Sequence, residues 1–446
     1  QKTQFGSSQS RLENLTFTDV ELSTWLKDSD ISIDVFAENF STNQAINVNT
    51  NNLTLNFNEI EEGTFDGSQN FGAGIKTAAN KSVTINGGDI SVGSIDGSDD
   101  AIYAVSDSNL TINGQSLTTG TKDVSSTGGI RSDGITNILT AKGRQSVING
   151  NIYVGKNGQL NWTKGGDVTI NGNIRNDGGL TSFGQRDGVS LTSLTINGTN
   201  PNETSVYPNG FTTANSYVGA DTFKLYGTLI VTGDTDIKSS NATFNSYDNQ
   251  EGIHIQNGST LHFLSSGNDQ ILTIESKNKP AISINGNDSS IVVESGQLNI
   301  TGGVASSAGT INFGTSENQL SSISIKSNGS TNNYLSLGNG TKANLYSSGD
   351  IKIAGDVANA ETAITLSGAE SQLNLVAATL ADIDGAVVIN SGNGTFEGST
   401  IDISGYLYNR GGNVSLKGKN ITVATPENAN YGYYMGIHSS GTTTIN

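Results

Sequence analysis

A short phrase recurs along this chain: an apolar residue, Thr or Ser, a second apolar residue, then Asn-Gly. It reads Val83-Thr84-Ile85-Asn86-Gly87, Leu110-Thr111-Ile112-Asn113-Gly114, Val168-Thr169-Ile170-Asn171-Gly172, Leu194-Thr195-Ile196-Asn197-Gly198 and Ile282-Ser283-Ile284-Asn285-Gly286, with a shorter Val147-Ile148-Asn149-Gly150. The copies at 83 and 110 start 27 residues apart, and those at 168 and 194 start 26 apart. Other alternations lie between them, among them Ile90-Ser91-Val92, Ile152-Tyr153-Val154, Leu298-Asn299-Ile300, Ile351-Lys352-Ile353, Leu373-Asn374-Leu375 and Ile401-Asp402-Ile403. Alternation with period two is a strand with one buried face. Asn-Gly between two strands ordinarily signals a tight antiparallel hairpin. Here the strands outnumber what one sandwich or barrel needs. About three of them recur every 22 to 30 residues, the range of solenoid repeats.

These features predict an all-β fold, a right-handed parallel β-helix with an N-terminal cap. Each turn contributes three short strands, and each strand pairs with its equivalent one turn on, at about 4.8 Å. The hand follows from the handedness of parallel crossovers. Inward Val, Ile and Leu form apolar columns, while outward Thr, Ser, Asn and Asp face water. Asn and Gly tolerate left-handed backbone angles, which the corners of a coil are expected to need.

Composition narrows the classes further. Only 33% of the 446 residues are hydrophobic and 14% charged, with a net charge of −18. Such a balance can mean disorder, but there are only four prolines, and Val, Ile, Leu and Phe recur along nearly the whole length. No apolar run approaches 18 residues, so no segment reads as a membrane-spanning helix. The acidic balance disfavours a general nucleic-acid binder. There is no cysteine, hence no disulfide and no thiol nucleophile, which suits a chain that crosses a membrane unfolded.

Two regions depart from the pattern. Residues 1–60 are less regular and carry Phe17, Trp25, Leu26, Phe36 and Phe40; they are read as the cap and first coils, since an uncovered first coil would template aggregation. Residues 61–446 are read as the β-helix. Within it, 199–223 hold Pro201, Pro208, Tyr207, Phe211, Tyr217 and Phe223 without clear alternation, and are expected to leave the coil as an excursion. Thr444-Ile445-Asn446 ends in the repeat style, so the natural chain is expected to continue.

Over about residues 60–446 the Gly-, Asn- and Thr-rich coils resemble the passenger domain of a Gram-negative autotransporter. The absent cysteine, the start at Gln1-Lys2-Thr3-Gln4 without a leader and the unfinished end fit the same picture. The adhesin branch that includes self-associating autotransporters is the most similar. The resemblance implies a rod secreted to the outside of the cell and tethered by a C-terminal outer-membrane barrel that is not in this chain.

Catalytic signals are sparse. His254 in Ile253-His254-Ile255 and His262 in Leu261-His262-Phe263 alternate with apolar residues and are expected to point outward; His438 is remote in sequence. They read as solvated surface histidines, and no metal or cofactor is expected. Asp99-Asp100 is similar to the paired acids of polygalacturonase-like enzymes, but the Gly-His-Gly and Arg-Ile-Lys segments of those enzymes are missing. Asp234 with Asp236, and Asp382 with Asp384, are carboxylate pairs on one strand face that could stand at glycosidase separation. A polysaccharide-degrading enzyme is therefore the rival reading. Calcium would take Asp96, Asp99 and Asp100, with Asp66 and Asp89 one coil away, but no calcium-loop spacing accompanies them, and a solvated acidic edge is the plainer account. Asn-x-Ser/Thr sequons at Asn52, Asn109, Asn197 and Asn241 are what a chain rich in Asn, Ser and Thr produces by chance.

Charge distribution carries the remaining signal. Residues 1–100 hold 15 acids and 5 bases, whereas residues 120–187 hold 8 bases, Lys122, Arg131, Lys142, Arg144, Lys156, Lys164, Arg175 and Arg186, and 5 acids. The expected function is a non-catalytic cell-surface adhesin that promotes self-association and biofilm formation. Two copies would lie antiparallel, with Asp66, Asp96, Asp99 and Asp100 of one set against Arg131, Lys142, Arg144 and Lys156 of the other. A two-fold axis would make each contact occur twice. An adhesin for host glycans or matrix proteins, without self-association, is the alternative.

Overall fold

The computed structural model describes residues 1–20, 29–48, 50–121, 128–199, 209–330, 333–354, 362–425 and 436–446. Every regular element among them is a strand, and the chain divides into two compact units, Gln1–Leu225 and Tyr226–Asn446. Each unit is a parallel β-helix.

In the first unit one coil is made by Ser82–Asn86, Asp89–Val92 and Asp100–Ala104. Each strand pairs in parallel with its counterpart a coil later: Ser82 faces Asn109, Asp89 faces Ser116, and Tyr103 faces Arg131. The 22 to 30 residue period in the sequence is therefore the length of one turn. The alternation sets what lies inside. Val83 and Ile85 stack on Leu110 and Ile112 at 0–1% exposure, while Thr84 and Asn86 lie outward over Thr111 and Asn113. The coil starts early: Lys2–Phe5 pairs with Asp30–Val35, and Leu12–Phe17 with Ala37–Thr42. Phe17 and Phe40 lie in these strands with ring centroids 5.6 Å apart. Trp25 and Leu26, expected in the cap, lie outside the described residues.

The second unit repeats the scheme. Ile253–Ile255, Ile282–Ile284 and Val304–Ser306 follow one another on one face. Ile271–Glu275, Gln297–Thr301 and Ser322–Lys326 do so on another.

The Asn-Gly phrase proves to be a corner between two strands of one coil. The asparagines form ladders: Asn56 Nδ2 donates to Asp34 Oδ1 (3.0 Å), Asn86 to Asn56 (2.8 Å) and Asn113 to Asn86 (3.2 Å). A second ladder joins Asn197 to Asn171 and Asn171 to Asn149, each at 2.9 Å. Asparagine suits this position because its amide both donates and accepts along a column. The expected role of glycine is corrected at two copies. Gly150 and Gly172 do not have positive φ; they are needed for room. A Cβ on Gly172 would lie 2.3 Å from the Gly150 carbonyl oxygen, and one on Gly150 would lie 2.4 Å from the Gly129 nitrogen.

The excursion expected at 199–223 is narrower than that. Gly210–Thr213 and Asn215–Tyr226 rejoin the coil, pairing with Ile174–Asn176 and Leu180–Phe183. Phe211, Tyr217 and Phe223 are core residues, 1%, 4% and 0% exposed. Three adjacent aromatic positions broke the alternation in sequence because this long strand packs almost every residue from Gly210 to Ala220. Pro201, Tyr207 and Pro208 lie outside the described residues. Buried Asn173 ties the two stems: its Oδ1 accepts from the backbone N–H of Thr199 (3.0 Å) and of Gly210 (2.8 Å).

A small antiparallel hairpin, Glu59–Glu61 with Thr64–Phe65, leaves the first unit unannounced by the sequence pattern. Buried Asn58 closes its base, donating to the Ala37 and Asp66 carbonyls (2.7 and 3.0 Å) and accepting from the Ala37 N–H (2.8 Å).

Candidate functional site

The most regular chemical feature of the first unit is an outward column on successive coils. Register places Lys76 beside Tyr103, Tyr103 beside Arg131, Arg131 beside Tyr153, and Tyr153 beside Arg175. Cations and rings alternate: Lys76 Nζ lies 5.5 Å from the Tyr103 centroid, and the Arg131 guanidinium lies 5.1 Å from Tyr103 and 5.5 Å from Tyr153. Arg175 lies 6.0 Å from Tyr153. These are cation–π distances.

Carboxylates brace the column. Arg131 Nε donates to Asp133 Oδ2 (2.9 Å), which also accepts from the Tyr103 hydroxyl one coil back (3.3 Å). One motif later, Arg175 Nη2 donates to Asp177 Oδ1 (3.2 Å), and the Tyr153 hydroxyl donates to Asp177 Oδ2 (3.2 Å). The unit is thus a tyrosine followed one coil on by Arg-x-Asp. Burial raises the Tyr103 hydroxyl above its ordinary pKa despite Arg131, and burial together with Asp177 raises that of Tyr153. Both phenols stay neutral donors at physiological pH. The ring faces are covered by cations, so the column presents edges and guanidinium groups outward.

The candidate residues divide into two sets. Asp66 is held by Arg11 through both terminal nitrogens, at 2.6 and 3.4 Å. Arg144 pairs with Asp89, which also accepts from Ser116 Oγ (2.7 Å). Arg131 is committed to Asp133 and its two rings. Asp100 accepts from Ser98 Oγ (3.4 Å) near Arg131. The basic stretch and part of the acidic one are thus neighbours within one chain, joined across coils. Asp96, Asp99, Lys142 and Lys156 differ: all four are exposed, and their side chains have no hydrogen bond or ion pair among the described residues. The proposed calcium set is drawn on in the same way, since Asp66, Asp89 and Asp100 have protein partners.

The Asp100 carboxyl sits above the ordinary carboxylate range, first because of burial; Arg131 and Ser98 pull it back, and Asp99 and Asp133 push it up again. Its folded pKa therefore exceeds its unfolded one. The native state holds the proton more tightly, so this group costs stability as pH rises through and above about 4, where an unfolded Asp ionises. Asp100→Asn is expected to fall less in stability than the parent between pH 4 and pH 7, and to be no less stable at pH 7. Urea melts of both proteins at the two pH values test this, and equal pH slopes would refute it.

The other chemical candidates lie in the second unit. Asp382 and Asp384 both hold the Lys352 ammonium, at 3.0 and 3.5 Å. Burial and the neighbouring Asp382 raise the Asp384 carboxyl, against Lys352. Asp234 accepts from the Thr260 N–H (3.0 Å). His262 is partly exposed and contacts Glu294 at 2.6 Å through Nε2, while Asp236 stands 3.9 Å from its Nδ1. His254, also partly exposed, is in register with Ser283. Among the described residues, no group of three His, Asp or Glu side chains is arranged to hold a metal ion.

The Tyr and Arg-x-Asp unit was within reach of sequence reading. Tyr103, Arg131, Tyr153 and Arg175 are 28, 22 and 22 residues apart, and aligning the coils by their apolar alternation would have superposed them. Comparison with family models, with curated proteins and with solved structures finds no match for this chain.

Proposed function

We propose that this chain is a non-catalytic bacterial cell-surface adhesin, of the autotransporter passenger type, that joins cells by binding a second copy of itself. The observation that supports this reading most is the flat outward grid of polar side chains. Asn52, Thr54 and Asn56 stand over Ser82, Thr84 and Asn86, and these over Asn109, Thr111 and Asn113, all in register. Each net hydrogen bond to such a face contributes only about 1 kcal/mol. A grid repeated at the coil spacing sums many of them, and many copies on two cells add avidity.

The unpaired charges steer the approach. Lys142 and Lys156 of one copy are set against Asp96 and Asp99 of the other. Each exposed pair contributes roughly 0–1 kcal/mol, and screening over about 8 Å at physiological ionic strength weakens it. Arg131, Arg144, Asp66 and Asp100 drop out of this contact because their partners are in their own chain.

Beads coated with the purified chain are expected to clump, and to clump less in high salt. Lys142→Glu with Lys156→Glu should reduce clumping several-fold at low salt. Mixing those beads with Asp96→Lys, Asp99→Lys beads should restore it, which no folding defect could imitate. Parent beads that stay dispersed would overturn self-association. Clumping that neither charge reversal alters would overturn the charged contact.

A further inference from the structure

The second unit has an open cleft of about 500 Å³ lined by Tyr226, Asn245, Ser246, Tyr247, Glu275 and Thr301, among others. That volume is within the range of small-ligand sites. Three features distinguish it from the polar grooves elsewhere on the coil.

The first is aromatic. Tyr226 is 40% exposed, and its hydroxyl has no partner among the described residues. The cation column of the first unit covers its tyrosine faces, whereas no cation stands over the Tyr226 ring among the described residues. The second is an unmet hydrogen bond. Ser246 is 5% exposed, yet its Oγ has no hydrogen-bond partner. A buried hydroxyl left unpaired is costly, and this one belongs to a residue that lines the cleft. The third is a row of different polar groups. Asn245, Glu275 and Thr301 face one another on consecutive coils, so an amide, a carboxylate and a hydroxyl line up at about 4.8 Å intervals. The Glu275 side chain is exposed and without a partner among the described residues.

A flat apolar ring edge beside a row of donors and acceptors matches a molecule with one C–H face and a rim of hydroxyls. We propose that this cleft binds a neutral pyranose unit of a glycan. Tyr226 packs on the C–H face of the sugar. Glu275 and Asn245 accept and donate to adjacent hydroxyls, and one sugar hydroxyl pairs with Ser246 Oγ. Lys277, also at the cleft, is drawn toward Asp248 (3.6 Å), so the lining offers no free cation for an acidic sugar. The inference does not rest on self-association, and it is read by a different assay.

The test is saturation-transfer NMR on the whole chain with the methyl glycosides of glucose, galactose, mannose and N-acetylglucosamine. At least one is expected to receive saturation, strongest at ring C–H protons, with the millimolar affinity that so small a ligand allows. Tyr226→Ala should abolish the transfer, and Glu275→Gln should weaken it several-fold. Ser246→Ala should weaken it too while leaving the thermal midpoint of the free protein unchanged or higher, because an unpaired hydroxyl has been removed. Adding methyl glucuronide separates neutral from acidic sugars, and tighter binding of it than of every neutral glycoside overturns the proposal. So does silence from all the neutral glycosides, or transfer that survives Tyr226→Ala in a folded protein.

Discussion

Asn58→Gly is expected to lower the stability of the first unit by about 2–4 kcal/mol, since a buried backbone group left without its partner costs about 1–3 kcal/mol. The side chain is 2% exposed and serves three backbone groups: the N–H and C=O of Ala37 and the C=O of Asp66. Those groups sit where the hairpin leaves the coil, too tightly enclosed for water to replace the amide without rearrangement. Glycine is the informative substitute. The residue has φ of 53°, a left-handed value that glycine adopts freely, so the loss reports the hydrogen bonds alone. Alanine adds a backbone penalty on top, and Asn58→Ala should be worse still. Asn58→Asp keeps the acceptor for the Ala37 N–H but turns both donors into repulsive acceptors. Urea unfolding followed by Trp162 fluorescence measures all three. A glycine variant within about 0.5 kcal/mol of the parent, the spread of an ordinary surface change, would show that the bonds carry no weight.

Arg131→Glu is expected to destabilise the first unit by about 1–3 kcal/mol, whereas Lys142→Glu should change stability by less than about 0.5 kcal/mol. Arg131 lies against two tyrosine rings and donates to Asp133. At an exposed site each cation–π contact is worth about 0.5–1 kcal/mol. Glutamate removes both and adds a third negative group beside Asp133 and Asp100. The side chain is 47% exposed, so solvent screens the repulsion and the packing loss dominates. Arg131→Gln separates the two effects: it loses the cation without adding an anion, and should fall between. Lys142 has no partner to lose. The pair of variants divides structural charge from contact charge. Reversal of Arg131 acts on bead clumping through loss of folded protein, and reversal of Lys142 acts without it. Equal melts for Arg131→Glu and Lys142→Glu would refute this division.

How far each feature could be read from the chain depends on how local its cause is. Val83-Thr84-Ile85 announces a strand with one buried face because the period of two is a property of neighbouring residues. The recurrence at 26 and 27 residues announces the turn of a coil. Outward placement of the partly exposed His254 and His262 followed from the same alternation. The reading failed where the alternation is absent. Phe211, Tyr217 and Phe223 looked like a loop because a strand packed on both faces has no period. It also failed at Gly150 and Gly172, where the constraint is the backbone of the coil beneath rather than the residue's own φ.

The apolar period by itself determined that this protein is a parallel coil, which side chains turn inward, and how many residues make a turn. Only the tertiary structure decided which charges are available. Arg144 meets Asp89 across 55 residues, Arg11 meets Asp66 across 55, and Arg131 lies between tyrosines 28 residues before it and 22 after it. Coil lengths vary, so a difference of a few residues in one turn decides whether two side chains stack or miss. Pattern along the chain records direction, in or out, at each position. Contact between positions is set by the sum of every turn length between them, and that sum is fixed only when the coils have registered on one another.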